Sequence, residues 1–107
     1  MPLFLGQFSY SSDAIKALVE SPEDRLQAAT EGVESLGAKL IGIWYAFGEF
    51  DGVYLVDAPD NTTAMALPML LGSSKAFSKV QTTVLMETGE AQQAMRKAAE
   101  ARYRPPA

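Results

Sequence analysis

The chain has 107 residues, 48% hydrophobic and 21% charged, with nine basic and thirteen acidic side chains and a net charge of −4. That is one domain's length with an ordinary globular balance, and its negative field opposes nucleic acid as a partner. Cysteine and histidine are both absent, which removes disulfides, thiolate nucleophiles, zinc–thiolate sites, the usual transition-metal and haem ligands, and every Ser-His-Asp or Cys-His catalytic arrangement.

Leu3 to Tyr10 reads as a strand, with Phe4, Phe8 and Tyr10 on one parity and Leu3, Leu5 and Gln7 on the other. Ser11, Ser12 and Asp13 signal a helix start, and Ile15, Leu18 and Val19 follow at helical spacing. Ser21-Pro22-Glu23-Asp24 is a second start signal, so one helical segment kinked or broken near Pro22 is expected. Its buried stripe is Leu26, Ala29, Val33 and Leu36, and Gly37 supplies a left-handed C-terminal cap.

Lys39 to Phe47 is the strongest strand, with Leu40, Trp44 and Ala46 on one face and Ile41, Ile43, Tyr45 and Phe47 on the other. A turn at Gly48-Glu49, or a slightly longer one, returns the chain into Gly52–Val56 as a hairpin. With an even loop, Ile43 shares a face with Tyr54 and Trp44 with Val53. Asp60 caps the next helix, which carries Met65, Leu67, Leu70 and Leu71 and which Pro68 should kink or split. Lys79 to Met86 is a fourth strand, with Lys75 and Lys79 suiting an edge. Thr88 then caps a last helix whose Ala91, Ala94, Met95 and Ala98 are expected to face inward, and Met65, Met69, Met86 and Met95 read as core gap-fillers.

The order βαββαβ(α) predicts an α+β, ferredoxin-like domain over residues 1–107, with a core at about 2–100 and a tail at 103–107. Its four-stranded antiparallel sheet carries helices on one face. The first three strands are apolar on both parities, whereas a sheet with one wet face alternates. The second face therefore exceeds what a monomer exposes, and a homo-oligomer of the dimeric α+β barrel kind is expected. No apolar run approaches the ~18 residues of a membrane span. The N-terminus lacks a basic n-region, so the cytoplasm is the expected location.

Phe47-Gly48-Glu49-Phe50-Asp51-Gly52, running on to Val56-Asp57-Ala58-Pro59-Asp60, resembles the GYD-domain family. The resemblance extends to Phe8-Ser9-Tyr10, Leu36-Gly37 and Tyr45-Ala46-Phe47, and so covers most of residues 2–100. It implies the dimeric α+β barrel fold and carries no agreed catalytic residues. Phe50 stands where that family usually has tyrosine, which removes a hydroxyl from the motif.

Asp51, with Glu49 and Asp57, is the best candidate chemical cluster, as a general base or a hard-cation site. The alternative reading, that Gly48 makes the turn and Asp51 accepts backbone hydrogen bonds within it, has the better warrant. Tyr45 is the second catalytic candidate. Trp44, Tyr45, Tyr54, Phe8 and Asp51 are the candidate ligand-binding residues, against the plainer reading that the aromatics fill core and interface. Gly6, Gly42 and Gly52 lie within strands, where a missing side chain admits a neighbouring ring. No metal or cofactor is expected. The functional expectation is a small oligomeric module of unassigned function, either non-catalytic or binding a small hydrophobic ligand; the alternative is a cofactor-free oxygenase or isomerase of a small hydrophobic or aromatic molecule.

Overall fold

The structure, a computed structural model, describes residues 2–107. Its elements run β1 (Leu3–Tyr10), α1 (Ser12–Glu20), α2 (Leu26–Ser35), β2 (Lys39–Tyr45), β3 (Gly52–Asp57), α3 (Asn61–Ser73), β4 (Phe77–Leu85) and α4 (Thr88–Glu100). The strands form one sheet in the order β2-β3-β1-β4, with every neighbouring pair antiparallel. That is the ferredoxin-like arrangement expected from the element order, with β4 and β2 as its edges. No helix among the described residues is long and apolar enough to cross a membrane.

Parity decides which face meets the helices. Phe4, Phe8, Tyr54 and Val56 are buried and pack with Val33 of α2 and with Ala64 and Leu67 of α3. The opposite parity, Leu3, Leu5, Val53 and Leu55, together with Trp44 of β2 and Leu85 of β4, lies on the uncovered face, where Trp44 is 54% exposed.

Two glycines let the core close. A Cβ at Gly6 would fall inside the Tyr54 ring, and one at Gly52 would fall against the Phe8 ring. Each glycine stands directly across from the aromatic that covers it, Gly6 from Tyr54 and Gly52 from Phe8. The ring thus occupies the place of the missing side chain.

The hairpin loop is longer than a tight turn. Six residues, 46–51, separate the paired Tyr45 and Gly52, so Ile43 does pair with Tyr54 and Trp44 with Val53. The register shifts between Leu40 and Gly42, leaving Ile41 as the extra residue of a bulge. Simple alternation puts Leu40 with Trp44. The bulge instead sets Leu40 beside Ile43 against the core.

The helices depart from expectation at their ends. Ser11 caps α1 by accepting from the Ala14 N–H, and Asp60 caps α3 by accepting from the Thr63 N–H. Ser21, however, closes α1, its N–H donating to Ala17 O, so it is not free to start α2. The break near Pro22 is complete, and the Asp24 carboxylate accepts the Leu26 N–H at 2.9 Å at the new start. Pro68 does not split α3, which runs unbroken and is held at Ala64 and Leu67 by the core. Gly37 takes the left-handed cap conformation at φ +86°.

The largest departure is α4. None of its residues is buried, and all but Ala91 are exposed, Met95 by 67%. The radius of gyration is 17.5 Å, against about 13 Å for a compact chain of this length. The helix projects from the body as an arm, and its Ala/Met stripe does not face inward. Met65, Met69 and Met86 are also more than half exposed, so these methionines are not core gap-fillers.

Candidate functional site

Between the covered sheet face and helices α2 and α3 lies a cavity of about 300 Å³. Its walls are Phe8, Val33, Leu40, Ile43, Leu67 and Leu71, with the Tyr54 ring among them. The space exists because α2 brings Ala28, Ala29 and Gly32 to its wall, where longer side chains would have filled it.

Besides the Tyr54 hydroxyl, the polar side chains of the lining are Tyr10 from the end of β1, Arg25 from just before α2 and Ser74 from the end of α3, whose hydroxyl donates to Leu71 O and accepts the Ala76 N–H. The Tyr10 and Tyr45 hydroxyls lie 3.1 Å apart in a hydrogen bond. Whichever donates, the accepting hydroxyl keeps its own proton for a third partner. Arg25 Nη1 donates to Glu23 Oε1 at 2.6 Å, an ion pair open to solvent, and the remaining guanidinium N–H groups are free to serve another acceptor.

Burial keeps the Tyr10 and Tyr54 hydroxyls protonated. Burial, reinforced by the hydrogen bond to Tyr45, holds the Tyr10 hydroxyl well above the usual phenol range, while the Arg25 guanidinium acts more weakly the other way. Burial also pushes Tyr54 up to about 12, with the Thr82 hydroxyl opposing the shift. The approach of Thr82 falls short of a formed bond, because the buried Tyr54 hydroxyl has no hydrogen-bond partner. Both phenols therefore stay protonated near neutral pH. No carboxylate lines the cavity among the described residues.

The residues singled out in the sequence divide into three places. Phe8 and Tyr54 are cavity wall, and Tyr45 lies outside the lining, exposed and hydrogen-bonded to the Tyr10 hydroxyl. Trp44 lies on the opposite sheet face, its ring over Gly42. Asp51 is in neither place. Its Oδ2 accepts the Tyr10 N–H at 2.8 Å, its own N–H donates to Phe8 O at 2.8 Å, and its carbonyl accepts the Ala46 N–H at 2.9 Å. These bonds pin the hairpin loop to the end of β1 and so set the direction of Tyr10.

Glu49 pairs with Lys79 at 3.1 Å, and Lys79 Nζ also lies 4.9 Å from the centroid of the buried Phe50 ring. Phe50 is thus a buried ring beside the Lys79 ammonium. Glu49, Asp51 and Asp57 do not converge on a common point, and the described residues contain no cluster of three metal-binding side chains.

Asp51→Asn should therefore lower stability by about 1–2 kcal/mol, since a charged acceptor is replaced by a neutral one. Chemical denaturation measures this directly. An unchanged midpoint would remove the structural role.

The sequence pattern does not mark Tyr10, Arg25, Ala28 or Gly32 as site residues. Tyr10 has the parity of Phe8 and sits two residues beyond it, a signal that could have found it. Arg25 offers none, because its position depends on where the helical segment breaks.

The GYD-domain family model matches residues 4–95. No curated protein matches the chain. Among solved structures, the chain is similar to FFRP-DM1, with a TM-score of 0.54 at 8% identity over 80% of this chain and 100% of that one. It is likewise similar to TTHA0845 from Thermus thermophilus, with a TM-score of 0.55 at 16% identity over 81% of this chain and 95% of that one. An uncharacterized NIPSNAP domain protein from Burkholderia xenovorans gives a TM-score of 0.50 at 13% identity over 81% of this chain and 94% of that one. At such identities the likeness speaks for the fold alone.

Proposed function

The chain belongs to the GYD-domain family, and from that premise we propose that it is a self-associating binding module. It holds a small apolar molecule with a hydrogen-bond-accepting head, a carboxylate in preference, in the cavity between sheet and helices. The observation that carries this reading is the cavity of about 300 Å³ whose walls are mostly apolar and whose lining includes Tyr10 and Arg25. That volume lies at the lower end of ligand pockets, which run from about 300 to 1,000 Å³. Arg25 has guanidinium N–H groups beyond its pair with Glu23, and the hydrogen-bonded Tyr10–Tyr45 pair keeps one hydroxyl proton, so the complementary head is an acceptor, and the guanidinium favours an anionic one.

Binding is favoured over proton-transfer catalysis for a specific reason. A general base must be able to take a proton near the working pH. The phenols of the wall are shifted upward, and the Asp51 carboxylate is committed to the Tyr10 N–H.

The test is a titration of isotope-labelled protein with 3-phenylpropionate and with 3-phenylpropionamide, followed by backbone NMR. The carboxylate should shift the Gly32, Val33 and Leu71 signals and bind at least tenfold more tightly than the amide. Leu71→Trp, which fills the cavity, should abolish both responses. Shifts confined to other residues, or unchanged in Leu71→Trp, would contradict the assignment.

A further inference from the structure

Helix α3 differs from the other three in carrying no charge. None of its 13 residues, Asn61–Ser73, is Asp, Glu, Lys or Arg, whereas α1, α2 and α4 each carry acidic side chains, and α1 and α4 basic ones too. Apolar residues run round it, the pattern of a helix covered on every side. The core, however, covers only the side of Ala64 and Leu67. On the other side Met65, Met69 and Leu70 are exposed, together with Thr62 and Ser73.

The open side has the spacing of a helix–helix seam. Thr62, Ala66, Met69 and Ser73 follow at intervals of four, three and four residues, with Met65 and Leu70 at the flanks. The seam is also complementary to its own reverse. Turned end for end about a point between Leu67 and Pro68, a second α3 sets Ala66 against Met69, Met65 against Leu70 and Thr62 against Ser73. A small side chain then faces a long one at the centre, and hydroxyls face each other at the ends. The same reversal brings Asp60, the N-cap of α3, to Lys75, two residues beyond its last turn. Both are exposed, and neither forms an ion pair among the described residues. The antiparallel pair thus gains two opposite-charge contacts and sets no like charges together at its centre.

We infer that α3 packs antiparallel against α3 of a second copy of this chain, across a two-fold axis that passes beside Leu67 and Pro68. A second copy is the occupant because an isologous contact requires a surface that complements itself, and the seam does so in both size and charge. A lipid surface is a poorer fit, since interfacial helices carry Lys and Arg on their polar face and α3 has neither. The contact lies on the outside of the helix layer, so it leaves the open sheet face free. It is therefore a second interface, independent of the sheet-face contact and of the ligand cavity, and two distinct two-fold contacts per chain build assemblies larger than a dimer.

The native chain has no cysteine, so single cysteines can be placed without background. Chains carrying Ala66→Cys are mixed with mass-tagged chains carrying Met69→Cys, left to exchange subunits and treated with a short bismaleimide. A covalent heterodimer is expected. Thr62→Cys chains should likewise join Ser73→Cys chains and not each other. In sedimentation the native chain should reach a species larger than a dimer. Met69→Glu should stop at the dimer with its circular dichroism unchanged, and Trp44→Asp combined with Met69→Glu should be monomeric. A Met69→Glu chain that assembles like the native one, or a mixture without the Ala66→Cys to Met69→Cys product, would overturn the α3 contact while leaving association through the sheet standing. Thr62→Cys chains that join each other would overturn the antiparallel arrangement. A native chain that is monomeric throughout would remove both interfaces.

Discussion

Replacing Gly6 with alanine should destabilise the domain by about 3 kcal/mol, at the upper end of ordinary overpacking, and lower its melting temperature by roughly 12–20 °C. The added methyl would occupy the space of the Tyr54 ring. That ring cannot simply swing away. It is 4% exposed and stacks on Phe8, itself fully buried, and Phe8 in turn packs edge-on against Tyr10 and Phe77. Relief of the clash must therefore displace a row of rings or open the strand pair β1–β3. A double-mutant cycle makes the cause explicit. In a Tyr54→Val background the same Gly6→Ala change should cost much less, a coupling expected only between groups in contact. A neutral Gly6→Ala would mean that the ring is not seated over the glycine.

Trp44→Asp should weaken self-association by about 30-fold or more, the effect of losing an aromatic hot spot worth about 2 kcal/mol. Trp44 is half exposed and sits on the face that the helices leave bare. A carboxylate there would have to be desolvated on association with nothing arranged to receive it. Within the monomer the change should alter stability by only about 0.5 kcal/mol, since the ring rests on its own strand over Gly42. The two readouts separate the roles of the two faces. Loss of fold would place Trp44 in the core, and unchanged association would remove it from the interface.

Much of the architecture is legible in the residues because several signals agree. The strand alternation of Phe4, Phe8 and Tyr10, the caps at Ser11 and Asp60, and the left-handed Gly37 each act locally, and local physics suffices to read them. The doubly apolar strands are equally plain, and the structure places half of that apolar surface on an uncovered face. What escapes such a reading is set at longer range. The bulge at Ile41 reverses the face of Leu40 through one extra residue, and the only local mark of it, the neighbouring Gly42, fits close ring packing equally well. The Ala/Met stripe of α4 has the spacing of a core helix, and periodicity does not say whether the surface it meets belongs to its own chain.

The site is half legible for a related reason. Phe8 and Tyr54 declare themselves as buried strand aromatics and do line the cavity. Asp51 draws notice as a carboxylate in a glycine-flanked loop, and its bonds to Tyr10, Phe8 and Ala46 are those of a structural staple. Arg25 and the small residues of α2 become a site only when the break at residues 21–25 has set the position of α2 against the sheet.

Self-association is the claim on which the uncovered sheet face and the open side of α3 both depend. Sedimentation equilibrium of the full chain at micromolar concentration tests it most directly. The expected species has twice the chain mass of 11.5 kDa, or a higher multiple. A single species at 11.5 kDa that also fails to bind a hydrophobic dye would contradict it.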